Sequence, residues 1–199
     1  MRKIVVSEFL TLDGVMQGPG GPDEDRSGGF EYGGWHTFMD EVQIQAIGEA
    51  VGETDAYLFG RKTYDIMAAH WPNQPDTDFF ASVLNPRPKY VVSTTLREPL
   101  AWQNSTLISE DVPGAVARLK QQPGQNITVL GSGELVQTLI RHDLVDEFAL
   151  VIDPLVLATG KRLFRDGLGP LRLELLDARP TPSGVILATY RPLSAGRGR

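Results

Sequence analysis

Apolar positions run along this chain in two alternating rhythms. Short, dense apolar runs occupy residues 3–10, 56–59, 89–93, 105–108 and 127–130, with the length and β-branched content of buried strands. Between them the apolar positions move to helical spacing. Phe38, Val42, Ala46, Ile47, Ala50 and Val51 recur on one helical face and predict a helix over residues 37–51. Further helices are predicted after Lys62, after Asp76, over 112–121 and over 134–141. Strands that alternate with helices build a largely parallel sheet covered on both faces. The end of the chain changes character: residues 145–152 form one continuous apolar run, and 171–176 and 185–190 flank the Pro180-Thr181-Pro182-Ser183-Gly184 turn as a hairpin. The expected class is therefore α/β, with a mixed, mostly parallel sheet that ends antiparallel.

Composition narrows the picture. A chain of 199 residues can bury a full core without staples, so residues 1–192 read as one domain, with a flexible tail at 193–199 that includes Arg197-Gly198-Arg199. A net charge of -6 argues against a nucleic-acid surface. Ser7 and Glu8 break the first apolar run, and no stretch approaches the ~18 apolar residues of a membrane span. A cytoplasmic protein is expected. There are no cysteines, which excludes disulfides, thiolate metal ligands and thiol nucleophiles. His36, His70 and His142 stand isolated in sequence, so no metal site is expected. The segment 18–34 is glycine-rich and carries Asp23, Glu24, Asp25 and Arg26; it reads as a mobile lid ordered by a ligand or a neighbouring subunit.

The candidate chemistry lies in three turns that each follow an apolar run: Gly60-Arg61-Lys62-Thr63, Ser93-Thr94-Thr95 and Gly131-Ser132-Gly133-Glu134. Glycine at a strand-to-helix turn lets backbone approach a ligand closely, and the free N–H groups of the next helix favour an anion. Arg61 and Lys62 oppose the helix dipole in a first turn, a placement that an anion would compensate. A multiply phosphorylated nucleotide is the leading ligand. A standard Rossmann site is not expected, because the third glycine and the acidic residue of that fingerprint are absent.

In order and spacing, Gly60-Arg61-Lys62-Thr63-Tyr64, Val91-Val92-Ser93-Thr94, Leu130-Gly131-Ser132-Gly133, and Val145-Asp146-Glu147 leading through Pro154-Leu155-Val156-Leu157 to Gly160-Lys161 and Leu163-Phe164 resemble the dihydrofolate reductase-like superfamily. Within it, the chain is most similar to stand-alone relatives of the C-terminal reductase domain of bifunctional riboflavin biosynthesis enzymes. The resemblance implies a three-layer fold and NADPH as cofactor, held by Gly60, Arg61, Lys62, Thr63, Ser93, Thr94, Gly131, Ser132, Gly133 and Glu134. It also implies hydride transfer to a small pterin- or pyrimidine-like heterocycle or a carbonyl compound, and a homodimer in which residues 148–152 contribute to the interface. Trp35 and Arg87 fall where such enzymes hold substrate, although Asn85-Pro86-Arg87-Pro88 departs from the folate pattern.

Reduction of a C=N or C=O group also needs a proton, hence an acid whose pKa is raised by apolar surroundings. Asp40, five residues after Trp35, is the first candidate, and Asp13 in the Asp13-Gly14 turn the second. Two other readings remain at this stage. One is an NADP(H)-binding protein without turnover; the other is a phosphotransferase, against which the missing phosphate-loop spacer and magnesium carboxylate count.

Overall fold

The computed structural model describes residues 1–193. Strands β1 (Ile4–Thr11), β2 (Thr54–Gly60), β3 (Lys89–Val92), β4 (Ser105–Ile108), β5 (Asn126–Leu130) and β6 (Glu147–Asp153) alternate with helices α1 (Glu41–Gly52), α2 (Arg61–His70), α3 (Phe79–Leu84), α4 (Val112–Gln121) and α5 (Gly133–Arg141). Strands β7 (Leu173–Pro180) and β8 (Ile186–Pro192) close the chain as an antiparallel hairpin. All eight lie in one sheet of order β4-β3-β2-β5-β1-β6-β8-β7, parallel from β4 to β6 and antiparallel beyond. The expected α/β class and mixed sheet are what the structure shows.

Alternation along β2 explains the three layers. Ala56 and Leu58 face one side, where they join Val116 and Leu119 of α4 and Leu135, Val136 and Leu139 of α5 in the main core. Tyr57 and Phe59 face the other, against Tyr64 of α2, Leu84 of α3 and Trp102. A second sign of tight packing is Lys89, fully buried at the start of β3. Its ammonium donates to the carbonyls of Leu84, Asn85 and Arg87 at 2.8, 3.0 and 2.7 Å, closing the end of α3. Burial lowers its pKa to about 8.

The helix predicted at 37–51 starts four residues later because Asp40 caps it, accepting the Gln43 N–H. The hairpin strands begin one or two residues later than predicted, and β7 runs four residues and β8 two residues beyond their predicted ends. Strand β6 is interior, between β1 and β8, and Phe148 and Leu150 point into the main core. Much of the 148–152 run expected at a dimer interface is thus already covered by this chain. No helix among the described residues is long and apolar enough to cross a membrane. The tail expected at 193–199 lies, apart from Leu193, outside the described residues.

The lid reading of residues 18–34 needs correction. The segment is packed against its own chain: Phe30, and Trp35 directly after the segment, sink beside Val15 into a small core of their own. Gln17 donates to the carbonyls of Asp25 and Ser27, Gly34 to that of Gly18 at 2.7 Å, and Lys161 pairs with Asp25. Glycine content made the segment look structureless, yet two aromatic side chains and a buried amide are enough to anchor it.

Candidate cofactor and substrate site

Strands β3, β2 and β5 are neighbours and parallel, so the turns that leave their C-terminal ends lie side by side on one edge of the sheet. This is the edge where α/β sheets bind ligands. The three sequence motifs interlock there. Ser132 Oγ accepts the Gly60 N–H at 2.9 Å and donates to the Leu130 carbonyl at 3.0 Å. Gly131, at φ 55°, lies so close to Thr63 that a Cβ on it would sit 2.9 Å from Thr63 Oγ1. Arg61 reaches across to the third turn, donating to Thr95 Oγ1 at 2.6 Å, while Ser93 Oγ accepts the N–H groups of Thr95 and Leu96 at 3.2 and 3.1 Å. Lys62 and Thr94 are exposed beside them.

Helix capping separates this edge from the rest of the molecule. Asp40, Asp78 and Asp111 cap α1, α3 and α4 by accepting backbone N–H groups. At α2 and α5 the cap positions are Gly60 and Ser132, and neither makes a side-chain cap bond. The two dipole ends therefore lie side by side at this edge with no carboxylate cap, which would repel an anion. Glu134 adds an acidic side chain to the first turn of α5, but Arg165 pairs with it. The Arg165 guanidinium also lies against Gly133, 2.9 Å from where a Cβ would stand. Arg165 was not legible as a site residue, because nothing in its local sequence ties it to α5. Chemically, this edge offers two helix N-termini, two guanidinium groups, an ammonium and several hydroxyls. The donor set and the cradle at Gly131 and Gly133 fit a dinucleotide pyrophosphate and a further phosphate.

The substrate end departs from expectation. The raised pKa expected of Asp40 does not occur. Partial burial pushes its carboxyl up, but hydrogen bonds from the Ser183 hydroxyl at 2.8 Å, the Gln43 N–H, Thr181 and the Ser183 N–H outweigh it and lower the pKa. Asp13 is also held ionised. Thr11 Oγ1 donates to it at 2.7 Å, and the N–H groups of Leu157 and Ala158 and the Arg162 guanidinium add to this, taking its pKa to about 2. Both carboxylates tie loops together. Arg87, expected to hold substrate, stands instead at the opposite, N-terminal edge of the sheet just before β3, where its Nη1 donates to the Val51 carbonyl at 3.0 Å, at the end of α1, and to the Tyr57 hydroxyl at 3.2 Å. Trp35 is buried, with its indole N–H on the Gln17 carbonyl at 2.7 Å.

Two groups that sequence reasoning passed over lie at the same edge. Glu8 is buried in β1; burial raises its carboxyl pKa well above the usual range, the Gly131 N–H opposes that and Glu24 reinforces it. Its position inside an apolar run hid it. His36, isolated in sequence, meets Asp153 from 117 residues away, with Nδ1 at 3.0 and 2.9 Å from the two carboxylate oxygens. The reading of His36 as lacking a carboxylate partner is thereby corrected.

Comparison with known proteins agrees with this architecture. The family model described as RibD C-terminal domain matches residues 2–187. This chain belongs to the RibD C-terminal domain family. Among members of similar length, the uncharacterised protein YyaP of Bacillus subtilis (strain 168) is 30% identical over 192 residues, covering 95% of this chain and 94% of YyaP. YwjB, also uncharacterised and from the same strain, is 29% identical over 190 residues, covering 96% and 98%. The fold is that of a protein assigned to riboflavin biosynthesis from Shewanella sp. PV-4, at TM-score 0.72 and 18% identity over 96% of this chain and 99% of that one. It is shared more distantly by dihydrofolate reductase from Enterococcus faecalis, solved with NADP(H), at TM-score 0.59 and 12% identity over 96% of each chain. The chain thus belongs to the RibD C-terminal domain family and has the fold that dihydrofolate reductase also has.

Proposed function

We propose that this RibD C-terminal domain is an NADPH-dependent reductase that transfers a hydride to a small pterin- or pyrimidine-like heterocycle or a carbonyl compound. The carrying observation is the sheet edge at the ends of β3, β2 and β5, where the only two α-helices without side-chain caps among the described residues begin side by side. In this reading the N–H groups of α2 and α5 and the backbone of Gly131, Ser132 and Gly133 hold the pyrophosphate. Arg61, with Ser93 and Thr94, holds the 2′-phosphate, and Lys62, Thr63 and Arg165 complete the electrostatic shell. When bound, reduced nicotinamide supplies the hydride. The chain's own residues bind and orient, exclude water and manage the proton. Asp13 and Asp40, held ionised, serve as anchors that fix the loops around the substrate end.

The reading also includes a cytoplasmic homodimer, in which the sheet end formed by β7 and β8 supplies the contact, since Leu175, Leu176 and Ile186 are exposed there. A second functional reading, NADP(H) binding without turnover, is favoured by the engagement of Trp35 and Arg87 with the protein itself. The two part on one assay: consumption of NADPH with a panel of pterins, pyrimidines and quinoid carbonyls. Oxidation with at least one class supports the reductase; tight binding with no oxidation across the panel supports the binding protein.

A further inference from the structure

Residue 36 stands where the packed segment returns to the sheet, and its ring lies tilted by 40° against Phe9 of β1 with centroids 4.2 Å apart and edge-on to Trp35 at 6.5 Å. Phe9 and Trp35 present uncharged ring faces. The charged group in contact with His36 is Asp153, the last residue of β6, which pairs in register with Thr11 at the end of β1. Asp153 is fully buried, and the His36 side chain is 8% exposed. A carboxylate withdrawn from water needs donors, so it holds a proton on Nδ1 and fixes the orientation of the ring. The other nitrogen, Nε2, is buried and has no hydrogen-bond partner among the described residues. Buried polar atoms are almost always partnered, and an orphan calls for a ligand or a function. This one lies at the C-terminal edge of β1 and β6, continuous with the edge that carries the cofactor turns.

We infer that His36 Nε2 delivers the proton in the reduction, with Asp153 as its positioning residue; the inference rests on the reductase reading. The substrate carbon of the C=N or C=O group gains a hydride from NADPH, forming a C–H bond. The π electron pair moves to the heteroatom, which takes the proton from Nε2 of the His36 imidazolium. The ring is left neutral with Nδ1–H on the Asp153 carboxylate, NADP+ is released, and solvent returns the proton.

The test combines kinetics with a readout independent of turnover. His36→Gln should lower the reduction rate by about 10²–10⁴-fold with NADPH affinity unchanged. Asp153→Asn should lower kcat with KM for the substrate unchanged, and should move the Nδ1 resonance of His36. In protein carrying nitrogen-15 histidine and loaded with NADP+, binding of a pterin or pyrimidine from the panel should shift the Nε2 resonance of His36 and leave Nδ1 in place. Full rate in His36→Gln, a stationary Nε2 resonance with a probe bound, or no probe from any class reaching that nitrogen overturns the role. Absence of NADPH binding by the intact protein overturns the reductase reading instead, and the proton role falls with it.

Discussion

Ser132 Oγ accepts the Gly60 N–H at 2.9 Å, joining two turns that lie 72 residues apart in the chain. The bond binds the start of α2 to the start of α5 and sets both helix N-termini side by side at one sheet edge. Because Ser132 is occupied with its neighbour and with the Leu130 carbonyl, it caps neither helix. A serine that would ordinarily satisfy N–H groups of its own helix instead sets the spacing of two dipole ends. Ser132→Ala should therefore weaken NADPH binding without removing it, by about 1 kcal/mol for one neutral hydrogen bond, read by fluorescence titration. Unchanged affinity would show that the turns hold their spacing without this bond.

Gly133 is predicted to be a binding position. A side chain there meets Arg165 and Met16, both able to move, so Gly133→Val should fold with a melting temperature within a few degrees of the parent. NADPH binding should be lost, because the branched side chain occupies the backbone approach. Intact binding with a large fall in melting temperature would mean that the glycine serves the turn alone.

Asp40 and Asp13 are predicted to matter for stability and not for proton transfer. Asp40→Asn keeps the cap on α1 but loses charge-assisted bonds to Ser183, so the melting temperature should drop by a few degrees while turnover with an active substrate stays within about threefold. A fall of 10²-fold or more, the usual order for removing a general acid, would return Asp40 to the chemistry.

Acid stability follows from Asp13. Its folded pKa of about 2 lies below the ordinary carboxylate value of 3.8, so the folded state binds fewer protons than the unfolded one between these values. Its contribution is fully present above pH ~4 and is lost as pH falls toward ~2. Denaturant melts from pH 5 to 2 should show a shallower loss of stability in Asp13→Asn than in the parent protein. Parallel slopes would contradict the assignment.

Much of the fold was legible because its cues are local. Period-two and helical patterns located the strands and helices, and the hairpin was marked by Pro180 to Gly184. The three turns of the proposed cofactor site were legible for the same reason, each placing glycine, hydroxyl or basic residues directly after an apolar run. The substrate end was not. Asp40 looked like an acid because spacing from Trp35 is visible in sequence, whereas the bonds that lower its pKa come from Ser183 on the far hairpin. His36 looked isolated because Asp153 reaches it only through sheet topology, and Arg165 joins Glu134 across 31 residues that include most of α5 and all of β6. Residues 18–34 were misread because glycine content speaks to the unfolded chain, while the burial of Phe30 and Trp35 decides the folded one.

Arg61 gives the most direct test of the central claim that the three turns form an NADPH site. Its bond to Thr95 Oγ1 at 2.6 Å holds the guanidinium over the Ser93-Thr94 turn, where the proposed site would take the 2′-phosphate that distinguishes NADPH from NADH. Fluorescence titration of the parent protein and Arg61→Ala with both cofactors is the measurement. The account predicts tighter binding of NADPH than NADH by the parent, a loss on the order of 1.5–3 kcal/mol for NADPH in the variant, and little change for NADH. Equal losses for the two cofactors, or no preference in the parent, would contradict it.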